Sequence, residues 1–142
     1  MKLTIQRVKY AKVFKDEELI SESKFGYLLL VCFKRGESDN LVKIAKKTLS
    51  YKLFDNWTKN IQEIEGDIMV LSQFTLTGKI KGTKPSFHES EEHFLAKNKF
   101  TEFIKILKEN YFTNKVFSGI FGFKLEIETK LDGPCTIQLE IN

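Results

Sequence analysis

The two histidines of the chain, His88 and His93, enclose the stretch His88-Glu89-Ser90-Glu91-Glu92-His93, which carries the residue types of a zinc-hydrolase helix. The spacing does not fit that chemistry. Two imidazoles must sit four residues apart to share a helical face, and a separation of five turns the second one around the axis. Gly78, Gly82, Thr83 and Lys84 supply the residue types of a phosphate loop without its order. Ser72 and His88 could be joined with any of 19 acids into a triad on paper. No glycines flank Ser72 as they would in a nucleophile elbow, so that combination carries no information. Neither a metal nor a cofactor is expected.

Two other segments hold polar residues where chemistry could be done. Ser72-Gln73-Phe74-Thr75 closes an apolar run that begins at Asp67, and Lys81-Gly82-Thr83-Lys84-Pro85-Ser86-Phe87 follows it. Asp132-Gly133-Pro134-Cys135-Thr136 lies between two alternating runs near the C-terminus. Read alone, Thr75 is an ordinary strand threonine, because a hydroxyl without a basic partner is a poor nucleophile. Asp-Gly-Pro is equally a common turn between strands.

The elements that must position these segments follow from periodicity. Leu3, Ile5 and Val8, then Ala11, Val13 and Phe14, predict two short strands, and Tyr27 to Phe33 a buried central strand with Gly26 at the turn before it. Leu41, Ile44, Ala45 and Leu49 recur at helical spacing over 40–52, with Asp39 or Asn40 as N-cap. Asp67 to Leu76 reads as a strand ending in the Ser72 to Thr75 segment. Ala96, Phe100, Phe103, Ile104, Leu107 and Tyr111 form one stripe of a long helix over 92–111. Phe123, Leu125 and Ile127, then Cys135, Ile137, Leu139 and Ile141, alternate with polar residues and predict two half-buried strands joined through Lys130 to Pro134. The expectation is a mixed α/β single domain, residues 1–142, with curved, barrel-like sheets and two covering helices.

Composition bounds the partners. The net charge is +4, from 23 Lys and Arg against 19 Asp and Glu, so nucleic acid is permitted without being required. Lys43, Lys46, Lys47 and Lys52, and then Lys79, Lys81 and Lys84, are local basic clusters that also suit a plain solvated face. Cys32 and Cys135 each sit in an apolar run and read as small buried hydrophobes in a reducing compartment. The first ten residues alternate instead of running apolar, and Tyr27 to Phe33 is too short to span a bilayer, so the expected location is the cytoplasm with no membrane contact.

Ile5-Gln6-Arg7-Val8, Ser72-Gln73-Phe74-Thr75, Lys81 to Phe87, Phe121-Gly122 and Asp132 to Thr136, in that order along nearly the whole chain, resemble the D-aminoacyl-tRNA deacylases. The chain departs from the family's usual residues at Leu131, Leu125 and Ser90. The resemblance implies hydrolysis of the ester joining a D-amino acid, or misplaced glycine, to tRNA. It implies a homodimer in which Gly133 and Pro134 of one subunit, joined by a cis bond, enter the partner's site and block L side chains. It also implies that Ser72, Gln73, Phe74 and Thr75 form the catalytic segment, either through Thr75 or with the terminal ribose 2′-hydroxyl. Arg7, Phe121, Leu125 and Ser90 would shape the substrate pocket, and Lys79 to Lys84 would meet acceptor-stem phosphates. The competing reading is a dimeric nucleic-acid-binding module of the same fold without turnover. A purely structural dimerisation protein gives no reason for the polar Ser72, Gln73 and Thr75.

Overall fold

A computed structural model describes residues 1–142. Strand β1 (Lys2–Lys15) is one 14-residue strand where the alternation predicts two. Ala11 and Val13 keep the odd-numbered spacing of Leu3 and Ile5 yet face the other way, with the even-numbered Val8, and the cause is a bulge, not a break. Val8 pairs with Leu131 and Tyr10 with Lys130, which leaves Lys9 as an extra residue on β1. One extra residue sends every later side chain to the other face. Leu3 and Ile5 thus join the core under the helices, whereas Ala11 and Val13 join Val8 on the opposite face.

A two-residue turn, Asp16-Glu17, leads into β2 (Glu18–Ser23) antiparallel to the end of β1. Both turn residues have positive φ, at 49° and 66°, the type I′ geometry that matches strand twist. Asp-Glu is not the usual residue pair for that turn, so β2 carries no sequence signal. β3 (Gly26–Cys32) pairs antiparallel with the first half of β1, β4 (Asp67–Ser72) parallel with β3, and β7 (Val116–Ser118) parallel with β4. A small hairpin, β5 (Lys79–Lys81) with β6 (Lys84–Ser86), stands apart from this sheet.

β8 (Glu126–Glu140) corrects the expected pair of strands joined by a turn. Both halves pair with β1, from Phe14↔Glu126 to Lys2↔Glu140, and not with each other. The residues from Asp132 to Cys135 are looped out of the ladder opposite Arg7, so Asp-Gly-Pro forms a wide bulge within one strand. Since β2 also packs against β4 and β7, the sheet curls into a nearly closed, barrel-like form.

Helices α1 (Leu41–Ser50) and α2 (His93–Asn110) pack on each other and on one sheet face. The Asn40 side chain accepts from Lys43 N–H at 3.0 Å and begins α1, while Glu92 accepts from Phe94 and Leu95 N–H and begins α2. Ile44, Ala45, Phe103 and Leu107 meet Tyr27, Leu29, Ile68 and Val70 in the larger core. The Tyr111 hydroxyl donates to the carbonyls of Ile61 (3.1 Å) and Gly66 (2.8 Å), tying the loop before β4 to the end of α2. No helix is long and apolar enough to cross a membrane. Phe103 is fully buried between α2 and the sheet, and Phe103→Ala is expected to cost about 3–5 kcal/mol. A lowered denaturation midpoint at unchanged slope would register that loss.

Candidate active site

Parallel strands present their C-terminal ends together, and loops leaving those ends are where open α/β sheets bind ligands. β4 ends at Ser72, and Gln73 makes a last ladder bond, its N–H donating to the Val31 carbonyl at 2.8 Å. The chain then turns into a short 3-10 helix, Phe74–Thr77, instead of continuing the strand to Leu76 as the apolar run predicts. Phe74 is exposed and Thr77 buried, so the apolar pattern here belongs to a turn. The N–H groups of Phe74 and Thr75 open that helix and have no acceptor within it.

The turn is fixed through one carbonyl. Phe74 O accepts from Thr77 Oγ1 at 2.9 Å, Ser90 Oγ at 3.1 Å and Cys32 Sγ at 3.4 Å, and the two hydroxyls lie 2.5 Å apart. Burial pushes the Cys32 thiol above its ordinary pKa, which keeps it a neutral donor and a poor nucleophile. Cys32 therefore supports the turn. Outward from it, the Gln73 amide donates to Thr75 Oγ1, and the Phe74 ring meets Phe87 edge-on at 5.1 Å.

In front of the turn lies a cleft of about 710 Å³. Ser72, Gln73, Phe74, Ser90, Phe121 and Leu125, six of the residues expected at a site, line it. Thr75, next to Phe74 in the turn, is exposed and does not line the cleft. Phe121 is clamped between His93 (5.2 Å) and Phe100 (5.5 Å), which makes it a fixed apolar wall. Leu125 is seated against Gly119, where a Cβ would come within 2.8 Å of it and 2.7 Å of Leu71. Any larger residue at 119 would force both leucines, which line the cleft, to move.

The wall also includes Glu91, His93 and Lys124, which sequence reasoning missed. They arrive from the start of α2 and the loop before β8, and no spacing rule links such distant segments. Burial raises the Glu91 pKa, but the Lys99 ammonium at 3.0 Å and the Glu92 N–H outweigh it and hold the carboxyl below its usual range. Glu91 thus remains a buried anion paired away from the cleft. His88 lies apart from His93, its Nδ1 2.9 Å from Ser86 Oγ.

Arg7, Gly133 and Pro134 do not line this cleft. Arg7 Nε reaches both the carbonyl and the carboxylate of Asp132 at 3.1 Å, and Nη1 donates to the Leu53 carbonyl at 2.7 Å. Lys9 holds the other carboxylate oxygen at 3.4 Å. The bulge is consequently pinned from beneath. Its Gly133-Pro134 peptide is cis, and at Gly133 (φ +141°) a Cβ would sit 2.7 Å from Cys135 N and 3.1 Å from Arg7 Nη2.

The chain matches the D-Tyr-tRNA(Tyr) deacylase family over residues 4–140. It belongs to that family. The D-aminoacyl-tRNA deacylase of Saccharomyces cerevisiae is 40% identical over 99% of this chain and 98% of its own. That of Nautilia profundicola is 35% identical over 99% and 100%. Among solved structures, the c-Myc DNA Unwinding Element Binding Protein superposes with a TM-score of 0.95 at 30% identity, covering 100% of this chain and 99% of that one. A probable eukaryotic D-amino acid tRNA deacylase shares the fold, with a TM-score of 0.86 at 16% identity over 99% and 98%.

Thr77 and Ser90 share one acceptor, so their losses should not add. Thr77→Val and Ser90→Ala are each expected to cost about 1–3 kcal/mol of stability. The double variant should differ from their sum by about 0.5–3 kcal/mol in a double-mutant cycle read by denaturation. Strict additivity would remove the shared-carbonyl account.

Proposed function

We propose that this chain hydrolyses the ester between a D-amino acid, or glycine, and the 3′ end of tRNA, acting in the cytoplasm as a homodimer. The deacylase class follows from family membership and from similarity to D-aminoacyl-tRNA deacylases along the whole chain. The observation that carries the finer reading is the separation, within one chain, of an open cleft from a pinned Gly133-Pro134 bulge. A second copy supplies the bulge to the first copy's cleft. There the Gly133 and Pro134 carbonyls accept hydrogen bonds from the substrate ammonium and leave no room for an L side chain. Chirality is read by backbone.

Hydrolysis adds a water oxygen to the ester carbonyl carbon, then breaks the bond to the ribose oxygen, which leaves with a proton. Charge builds on the carbonyl oxygen, and the N–H groups of Phe74 and Thr75 face it; one such donor contributes roughly 2.7–4 kcal/mol. Thr75 Oγ1 has the Gln73 amide as its partner and no base, so it orients the attacking water, with help from the terminal ribose 2′-hydroxyl. Ser72 and Gln73 hold the terminal adenosine, while Phe121, Leu125 and Ser90 shape its pocket. Arg7 acts by holding the bulge.

Purified protein, with no metal added, should release amino acid from D-aminoacyl- and glycyl-tRNA and spare the L ester. Gly133→Ala forces Cys135 or Arg7 to move, and a displacement near 1 Å should lower kcat/KM for the D ester by about 10²-fold. Full activity with retained chiral preference in that variant would remove the bulge from the site. Similarity to the c-Myc DNA Unwinding Element Binding Protein favours a second reading, nucleic-acid binding without turnover. Binding with no hydrolysis of any ester would select it.

Lys81 and Lys84 are exposed on the β5–β6 hairpin, whereas Lys79 is paired with Glu89. If the first two meet acceptor-stem phosphates, replacing both with Ala should reduce the slope of log affinity against log salt by about 0.9 per phosphate lost. An unchanged slope would place tRNA elsewhere.

A further inference from the structure

We propose that Trp57 is a stacking platform for an unpaired nucleotide at the 3′ end of tRNA, presented by the protomer that supplies the Gly133-Pro134 bulge. This rests on the deacylase reading above. Trp57 is the chain's single tryptophan, 58% exposed and outside both cores. It lies in a loop closed by Phe54 and Lys59, whose N–H and carbonyl groups exchange bonds of 3.0 and 3.1 Å. Asp55, Asn56 and Trp57 all adopt left-handed φ, at 48°, 53° and 68°. A bulky residue in that region is an outlier, and such outliers persist where a site over-determines them. The loop spends backbone strain on holding an indole outward.

What surrounds the indole identifies its partner. Arg7 Cζ lies 5.6 Å from the ring centroid, and the same guanidinium grips Asp132 at the base of the bulge. Trp57 and the bulge are therefore carried as one unit. Lys9 sits over Phe25 at 5.5 Å, and Lys52 and Lys59 are exposed on either side of the loop. Against these four cations stand Asp132, between Arg7 and Lys9, Asp55, 3.7 Å from Lys59, and Glu63, whose carboxylate accepts from Asn60 N–H at 2.7 Å, so the cations are in the majority. Cations interleaved with exposed aromatic faces are the pattern that takes single-stranded nucleic acid. When the bulge enters the partner's cleft, the indole arrives at the mouth through which the unpaired 3′ nucleotides must pass.

Because Trp57 is the only tryptophan, its emission reports on this contact directly. Uncharged tRNA titrated into the wild-type protein should change that emission in step with binding measured by filter retention. tRNA trimmed of its unpaired 3′ nucleotides should leave the emission nearly unmoved. Trp57→Ala should loosen tRNA by about 5- to 150-fold, matching the ~1–3 kcal/mol of a base–aromatic stack, and Trp57→Phe should stay within about threefold of wild type. Unmoved emission at saturating intact tRNA, or an equal response to trimmed tRNA, overturns the stacking role while leaving hydrolysis as a separate result. Emission that follows protein dilution and ignores tRNA marks a protomer contact and overturns it as well. A wild-type protein that neither binds tRNA nor hydrolyses its esters removes the deacylase reading and this one together.

Discussion

Between Arg7 and Lys9 the β1–β8 ladder is irregular on both strands, and most of the molecule's arrangement depends on that short stretch. Four residues of β8 stand opposite Arg7, and one step later Lys9 is extra on β1. The first irregularity creates the bulge with Gly133 and Pro134. The second turns Ala11 and Val13 into the curl of the sheet, where with Val8 they pack against Leu28, Met69 and Leu71. Met69 and Leu71 belong to β4, the strand whose end opens the cleft. A regular 14-residue ladder would have kept Ala11 and Val13 on the face of Leu3 and Ile5, produced no bulge and left the back of β4 uncovered. Arg7 and Lys9 themselves converge on Asp132, so the residues at the two irregularities also hold the bulge in place.

The cleft shows the same reliance on backbone. Its polar groups at the end of β4 are those of a four-residue turn, and that turn is set by three side chains gathered around the Phe74 carbonyl. None of the three is an acid or base at neutral pH, and burial keeps Cys32 protonated. The catalysis proposed for this turn, by positioned N–H dipoles, needs such rigidity more than it needs a titrating side chain, because a donor is effective only if it need not reorient as charge develops. The Glu91 carboxylate in the cleft wall would disturb that field, and its pairing with the Lys99 ammonium at 3.0 Å offsets its charge.

The helices and the central strands were legible because their apolar spacing states which face is buried. α1 begins at the cap expected from Asn40, and β3 fills the run from Tyr27. The segments that define the site were legible as residues and misread as structure. Leu76 extends an apolar run and so suggests strand, but the Phe74 carbonyl is better served by the turn's hydroxyls than by a ladder. Asp-Gly-Pro suggests a hairpin because local sequence cannot say that both flanking strands share one neighbour 120 residues away. Glu91, His93 and Lys124 had no signal at all, since only the packing of α2 against the loop before β8 brings them to one wall. Trp57 was silent for a related reason: an exposed aromatic is informative only once its surroundings are known.

Ser90 shows how a polar residue in the cleft wall can serve the turn behind it. A hydroxyl in such a wall would ordinarily offer a donor to whatever the cleft holds. Here Ser90 Oγ is engaged twice, with Thr77 Oγ1 at 2.5 Å and with the Phe74 carbonyl at 3.1 Å, and the residue is buried. Its hydrogen is directed to one of those two acceptors, so the hydroxyl is taken up by the turn. The turn gains a donor, and Ser90 acts on the rigidity of the backbone that carries Phe74 and Thr75.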